Sequence, residues 1–435
     1  MTGEAPQTVE DEIRRRIEAD GPMPFEAYMA ACLGAEEAGY YQTRDPFGEA
    51  GDFVTAPEIS GMFGEMCGLY LAHMYELSGK PADAVVAELG PGRGTLMRDM
   101  RHAWSALMPE LAAAPVHLVE TSPVLRSIQN GTIGESAPVT WHADTDELVA
   151  GIEGPLFGIA NEFFDALPAA QLVWRDGSWH RRMVGLVDDR IGFVDGGAAI
   201  DDPALPDAPQ DGMVAELCPQ ADLVMAALAR SVSARGGAML VIDYGRDGNP
   251  GDSVQAVAAH KPVDLFHEPG QADLSHWVDF AALRRAAETQ GARLIGPVAQ
   301  GRFLMRIGLA MRAEQAGAHA GPEERRALLA AIDRLTSPAQ MGEVFKVALL
   351  VPAGTGRPAG FGVLNLAVNA LEYALHKARG SDEQLIKLGL AIVRGQQVEY
   401  FGDFSGYIIA GGDQAQVGVK ARGDVVVVAG AHMRV

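Results

Sequence analysis

The segment Glu88-Leu89-Gly90-Pro91-Gly92-Arg93-Gly94 ends an apolar run and opens an amphipathic stretch. Three glycines at alternate positions make a turn that lets a ligand lie directly against the backbone. Phosphate ligands match it poorly. A Walker loop places Lys and then Ser/Thr after its last glycine, whereas Gly94 is followed by Thr95-Leu96. A dinucleotide fold seats an anionic pyrophosphate on a helix N-terminus through GxGxxG spacing, but here the acid Glu88 stands beside the turn. That acid suits a ligand with a cationic amino-acid end. S-adenosyl-L-methionine carries an ammonium and a sulfonium, so Glu88, Gly90, Pro91, Gly92 and Gly94 are expected to form its loop.

Further acids follow in order. Glu120 closes the run "VHLVE", where a carboxylate can accept two hydrogen bonds from a ribose diol; the alternative is a solvated strand-end cap. Asp144, in "TWHAD", is placed either to take an adenine amino group or to cap the helix that begins at "DTDELVAG". The run "LFGIA" opens into "NEFFDALP". In methyltransferases acting on nitrogen this position faces the methyl group, so Asn161, Glu162 and Asp165 are the catalytic candidates. The structural alternative has Asn161 ending a strand, Glu162 on the surface and Phe164 in the core.

The elements that must hold these residues are legible from the pattern of the chain. Short apolar runs, "AVVAEL", "VHLVE", "PVTWHA", "LFGIAN" and "GGAMLVIDYG", alternate with helical stretches. Such alternation predicts a parallel sheet in an α/β fold, with ligands beyond the carboxyl ends of the strands. Residues 8–38 read as helices broken at "DGPMP", then comes a long Gly/Pro/Asp-rich loop, and Phe63 to Leu77 is helical again. Asp-Gly within "QLVWRDGSWHRRMVGLVDDRIGFV" marks a β-hairpin inserted near 170–200.

At 435 residues with 48% hydrophobic and 21% charged composition, the chain is long enough for more than one domain. The 57 acids against 35 bases, a net charge of −22, disfavour binding to a nucleic-acid backbone. No apolar run approaches the roughly 20 residues of a membrane helix. The N-terminal residues lack an apolar core and fit a transit peptide poorly, which places the protein in the cytoplasm. Cys32, Cys67 and Cys218 have no CxxC spacing, so neither a disulfide framework nor a zinc site is expected, and no other metal site is read.

Several segments together resemble the MidA family of S-adenosylmethionine-dependent methyltransferases, which includes a mitochondrial complex I assembly factor regarded as a protein-arginine methyltransferase. They are "GYYQTRDPFGEAGDFVTAPEISGMFGE", "VVAELGPGRGTLMRDM", "HLVETSPVLRSIQ", "IANEFFDALPAAQLV", "GGAMLVIDYG", "VQAVAAHKPVDLFHEPGQADLSHWVDF" and "MGEVFKVALLVP". The resemblance spans about residue 20 to Phe361. It implies a class I, Rossmann-like methyltransferase fold with a mostly parallel sheet and helical N-terminal additions. It also implies S-adenosyl-L-methionine as cofactor and a protein substrate, with a respiratory complex I subunit among the candidates. Gly61 stands where the family is expected to carry Gln, and His276 and Trp277 depart from its usual pattern.

Direct displacement is the chemistry such a site performs. An arginine acceptor stays cationic, so a carboxylate must align the guanidinium and take its proton. Glu162 is the first choice and Asp165 the second, with Asn161 orienting the acceptor. Gly51, Asp52 and Glu58, in "AGDFVTAPE", are expected to shape the substrate channel. A cofactor-binding assembly factor without methyl transfer and a nicotinamide-dependent oxidoreductase are the competing readings.

The organisation expected is a helical segment with the substrate-side loop over 1–80, a methyltransferase domain over 81–361, and a small α+β extension over 362–435. The extension reads as two amphipathic helices followed by an antiparallel sheet, suited to homo-oligomerisation or docking.

Overall fold

The computed structural model describes residues 8–35, 39–40, 55–134, 138–197, 199–356, 358–361, 404–411, 414–421 and 424–428. Seven strands form its central sheet: β1 (Val85–Leu89), β2 (Val116–Val119), β3 (Val139–His142), β4 (Leu156–Asn161), β5 (Gly237–Arg246), β6 (Ala292–Ala299) and β7 (Phe345–Pro352). Their order is β6-β7-β5-β4-β1-β2-β3, and Val278–Asp279 adds in parallel beside the end of β5. Pairing is parallel from β5 through β3, while β7 runs antiparallel to both neighbours. The five runs read from the sequence are β1 to β5. The reversed strand β7 and its neighbour β6 are additional.

Every residue of β1, β2 and β4 is buried, because helices cover both faces of the sheet; the strands are therefore apolar apart from Glu88, His117 and Asn161 rather than alternating. The N-terminal helices are α1 (Val9–Asp20), α2 (Phe25–Gly34) and α3 (Gly61–Leu77). After β1 come α4 (Thr95–Leu107), α5 (Pro123–Ile133) and α6 (Thr145–Gly151), then α7 (Pro219–Arg235) and α8 (Phe280–Thr289). Leu148 of α6, Met225 and Leu228 of α7 and Leu283 of α8 share one core with Leu89, Leu156 and Met239. Helices α3 and α4 approach so closely that a Cβ on Gly68 would lie 2.9 Å from Met100 Cα; Trp104 Nε1 donates to Gly68 O there at 2.7 Å.

Helix α1 begins at Thr8, whose hydroxyl accepts from Asp11 N, and Val9, Ile13 and Ile17 bury its apolar stripe. These residues pack with Phe25, Tyr28 and Met29 of α2 against Val184 and Leu274. The inserted region contains two hairpins where one was expected. Ala170–Arg175 and Ser178–Arg181 meet through Asp176-Gly177, and Met183–Val187 and Arg190–Val194 through Asp188-Asp189. Both residues of each turn have positive φ, which Asp tolerates, so Asp-Asp makes the same turn as the recognisable Asp-Gly. Among the described residues no helix is long and apolar enough to cross a membrane.

The chain forms two compact units, Met1–Met305 with Leu309–Phe361, and Arg306–Gly308 with Gly362–Val435. In the second, Phe404–Gly411, Gln414–Ala421 and Asp424–Val428 make the expected antiparallel sheet, with Tyr407 opposite Gly418 and Val419 opposite Val426. The two tail helices read from the sequence lie outside the described residues.

Candidate active site

The carboxyl ends of β1, β2, β4 and β5 surround a cleft of about 930 Å³. At its base the glycine loop leaves β1 with Gly90, Gly92 and Gly94 at φ of 59°, 52° and 80°, a region that costs residues with a side chain. Gly90 and Gly92 line the cleft. A Cβ on Gly90 would stand 3.0 Å from Phe163 Cδ2, so the ring of Phe163 lies over bare backbone. Gly94 does not reach the cleft wall; it caps α4 and packs on Ile133.

Glu88 is 2% exposed, and its Oε2 has no hydrogen-bond partner. Burial pushes its carboxyl well above the usual range, against a hydrogen bond from the Met97 backbone. Glu88, Pro91, Glu58, Asn161 and Glu162 line a smaller cavity of about 40 Å³ on the inner side of the loop. Asn161 Oδ1 is likewise buried without a partner. Glu58, in the turn Ala56–Ile59, accepts from Thr95 Oγ1 at 2.7 Å and lies 3.8 Å from Arg93. Gly51 and Asp52 lie outside the described residues.

Glu120 follows β2 and accepts from Ser122 N at 2.8 Å and from Gln129 Nε2 at 3.1 Å. Gln129 also donates to Gly92 O at 2.8 Å and accepts from Trp141 Nε1, so one buried amide ties the glycine loop to the acid. Burial raises the Glu120 pKa, partly offset by these bonds. A carboxylate has about four lone-pair sites, and these bonds together with one from the Thr121 backbone leave about one for a ligand. Asp144 caps α6 through a 2.8 Å bond from Glu147 N to its Oδ1 and still lines the cleft; capping and ligand contact are compatible there.

The turn after β4 carries a cluster of acids. Glu162 has φ of 50°, unusual for a residue with a side chain, and its N–H donates to Ile242 O of β5. Its Oε1 accepts from Asn161 Nδ2 at 3.2 Å and from Ala56 N at 3.4 Å. Burial first, then the charge of Asp165, pushes the Glu162 carboxyl up to about 7. Asp165 is 7% exposed and lines the cleft with Oδ1 unpartnered. Its pKa is raised by burial, while a hydrogen bond from Tyr244 and the charge of His276 act the other way.

Asp243, fully buried on β5, accepts from Phe164 N, Asp165 N and Tyr244 N at 3.0, 3.3 and 3.0 Å. Burial, Asp165 and Glu162 together hold it well above the carboxylate range. Asp273 and Tyr244 also line this end of the cleft. Sequence reading missed Asp243, Tyr244, Asp273 and Gln129. The one available signal was an acid-aromatic pair at the carboxyl end of "VIDY". Phe164 belongs to the core, whereas Phe163 faces the cleft. Among the described residues no group of His, Cys, Asp and Glu is arranged to hold a metal ion.

A family model described as "Putative S-adenosyl-L-methionine-dependent methyltransferase" matches residues 66–298. The Drosophila melanogaster protein arginine methyltransferase NDUFAF7 homolog, mitochondrial, is 33% identical over 371 residues, covering 78% of this chain and 84% of the relative. Human protein arginine methyltransferase NDUFAF7, mitochondrial, is 34% identical over 364 residues, with 78% and 82% covered. A COG1565 superfamily member from Burkholderia thailandensis, solved with bound S-adenosyl-homocysteine, superposes with a TM-score of 0.70 at 28% identity, covering 82% of this chain and 95% of that one.

The relatives' names correct one expectation. They are mitochondrial, which overturns the cytoplasmic placement. A targeting address is a short segment read by a receptor and is independent of the fold, so acids near residue 10 were a poor guide to compartment.

Proposed function

The chain belongs to this family of S-adenosyl-L-methionine-dependent methyltransferases, and from that premise we propose that it methylates an arginine nitrogen of a protein, with Glu162 taking the proton. The observation that carries the arginine reading is the acid cluster. Glu162, Asp165 and Asp243 lie together at one end of the cleft, each held above its ordinary pKa by burial, with Glu162 raised further by Asp165 and Asp243 by both neighbours. Burial makes ionising such a cluster costly, a nearby cation lowers that cost, and a planar guanidinium offers several donors at once.

The loop residues fit the cofactor. Unpartnered Glu88 Oε2 and Asn161 Oδ1 are acceptors suited to the cationic amino-acid end, the bare backbone at Gly90 admits close approach, and Glu120 keeps capacity for a ribose hydroxyl. Asp144 and Gly92 would complete the adenine side, while Pro91 and Gly94 shape the turn. When bound, S-adenosyl-L-methionine supplies an electrophilic methyl group. The chain does the rest: Phe163 and Leu167 wall the cleft, Asn161 steadies Glu162, and Asp165 orients the acceptor. As the new bond forms, the acceptor's proton passes to a Glu162 oxygen. With its pKa near 7, Glu162 is ionised often enough to act and basic enough to accept.

Glu58 and the segment before it, with Gly51 and Asp52, are proposed to border the acceptor's path. The family resemblance makes respiratory complex I subunits the first proteins to test; the tail unit, outside that resemblance, is proposed for oligomerisation on its own sequence pattern. Mass spectrometry of those subunits from cells with and without the gene tests the reading. A mass gain of one methylene, or a multiple, on an arginine only when the gene is present is the expected result; modification on a different residue type overturns the arginine reading.

A further inference from the structure

His276 is 3% exposed and lies between the strands Asp273–Ser275 and Val278–Asp279. Its ring sits between two backbone carbonyls, with Nδ1 3.1 Å from Trp277 O and Nε2 3.0 Å from Leu167 O. A carbonyl oxygen only accepts, so both ring nitrogens must donate, and only the imidazolium has a proton on each. A neutral ring would set a nitrogen lone pair against a carbonyl lone pair in a buried site, leaving both acceptors unsatisfied.

The same residue holds the acceptor-side turn at both ends. Its backbone N donates to Asp165 O at 3.0 Å, and its ring donates to Leu167 O two residues on. Cys218 Sγ donates to Leu167 O and Pro168 O at 3.8 and 3.4 Å, closing the far side of that turn. The titratable groups facing the ring are Cys218 before α7, Glu216 on Val214–Leu217, and Asp165 itself. Burial works against the charged ring, but hydrogen bonding with Cys218, the nearby Glu216 carboxylate and the Trp277 carbonyl outweigh it and push the pKa up to about 9.

We propose that His276 is a positioning residue, a buried imidazolium that fixes the Asp165–Leu167 turn and supplies the counter-charge that keeps Asp165 anionic for a cationic methyl acceptor. Its second half rests on the reading of Asp165 as part of the acceptor pocket. Through the turn, His276 sets where Asp165 Oδ1 points; through its charge, it sets how much of the acid cluster stays ionised. It touches neither cofactor nor acceptor.

The test uses the full-length protein labelled with ¹³C at histidine Cε1 and aspartate Cγ. Two variants, His276→Gln and His276→Asn, keep a side-chain donor without the charge, and Asp165→Asn assigns the Asp165 signal. The resonance lost in the His276 variants is expected to be that of a doubly protonated ring at pH 7.5, losing its proton near pH 9. The Asp165 midpoint is expected to rise by about one pH unit in whichever variant keeps S-adenosylhomocysteine binding by calorimetry. A singly protonated ring in the wild-type protein at pH 7.5 overturns the proposal, as does an Asp165 midpoint equal in wild type and folded variant. The ring's state is read in the wild-type protein and needs only one variant for assignment. Neither signal depends on methyl transfer, so failure of the arginine reading is distinguishable from failure of this one.

Discussion

Replacing Glu162 by Gln is expected to stabilise the protein at alkaline pH by an amount that the site itself sets. In the folded chain its carboxyl is pushed from an ordinary 4.5 to about 7, first by burial and then by Asp165. The unfolded chain has no such environment. Between those values the folded state keeps a proton that the unfolded state has released. The stability contributed by the protonated acid is therefore fully present below 4.5 and is lost as pH rises through 7. At about 1.4 kcal/mol per pH unit, the wild type gives up roughly 3 kcal/mol by pH 8.

Glu162 is only partly buried and titrates together with Asp165 and Asp243, so about 1–2 kcal/mol is the difference to expect. Gln has the size of the protonated acid and no charge to strand. Thermal melts followed by circular dichroism should nearly coincide for the two proteins at pH 5, and the variant should melt a few degrees higher at pH 8. Equal melting at pH 8, or a gap of the same size at both pH values, refutes the reasoning.

Three further outcomes follow from the same geometry. Glu120→Ala removes the proposed ribose contact and is expected to weaken S-adenosylhomocysteine binding by about 1.5–3 kcal/mol, tenfold or more, in calorimetry; an unchanged affinity removes Glu120 from the site. Gly90→Ala adds a Cβ 3.0 Å from Phe163 at a φ of 59°, so it is expected to cost about 1–3 kcal/mol of stability in urea unfolding and to weaken the same ligand. The kcat/KM for a methyl acceptor should rise with pH through about 7, following ionisation of Glu162 in the free enzyme. A profile flat from pH 6 to 8 speaks against Glu162 as the base.

Much of the fold was readable because burial on both faces of β1, β2, β4 and β5 leaves a plain mark. Strands β1 to β5 are short apolar runs followed by helical stretches, and the glycine loop interrupts that rhythm once. Strand β6 was hidden by Gly296-Pro297, which reads as a turn signal and coincides with a register shift between Ile295 and Val298. Strand β7 is apolar enough to see, but nothing in a run of apolar residues states its direction. Local chemistry likewise exposed Glu88, Glu120 and Glu162, each beside a strand end. Asp243 and Asp273 lie 81 and 111 residues beyond Glu162 in the chain, and they meet it only because β5 pairs with β4 and the strand Asp273–Ser275 is brought to the cleft. His276 was noticed as a departure from a family pattern; its charge state follows from two carbonyls that only the folded chain brings to it.

The central claim, that this site binds the cofactor through the β1 loop and removes the acceptor's proton with Glu162, is tested most directly by two readings on one pair of proteins. Wild type and Glu162→Gln are compared at pH 8 for S-adenosylhomocysteine affinity by calorimetry and for transfer of radiolabelled methyl to a protein acceptor identified by mass spectrometry. The account predicts affinities equal within about twofold and transfer reduced on the order of a hundredfold or more in the variant. Undiminished transfer by a folded variant that still binds the cofactor product contradicts it.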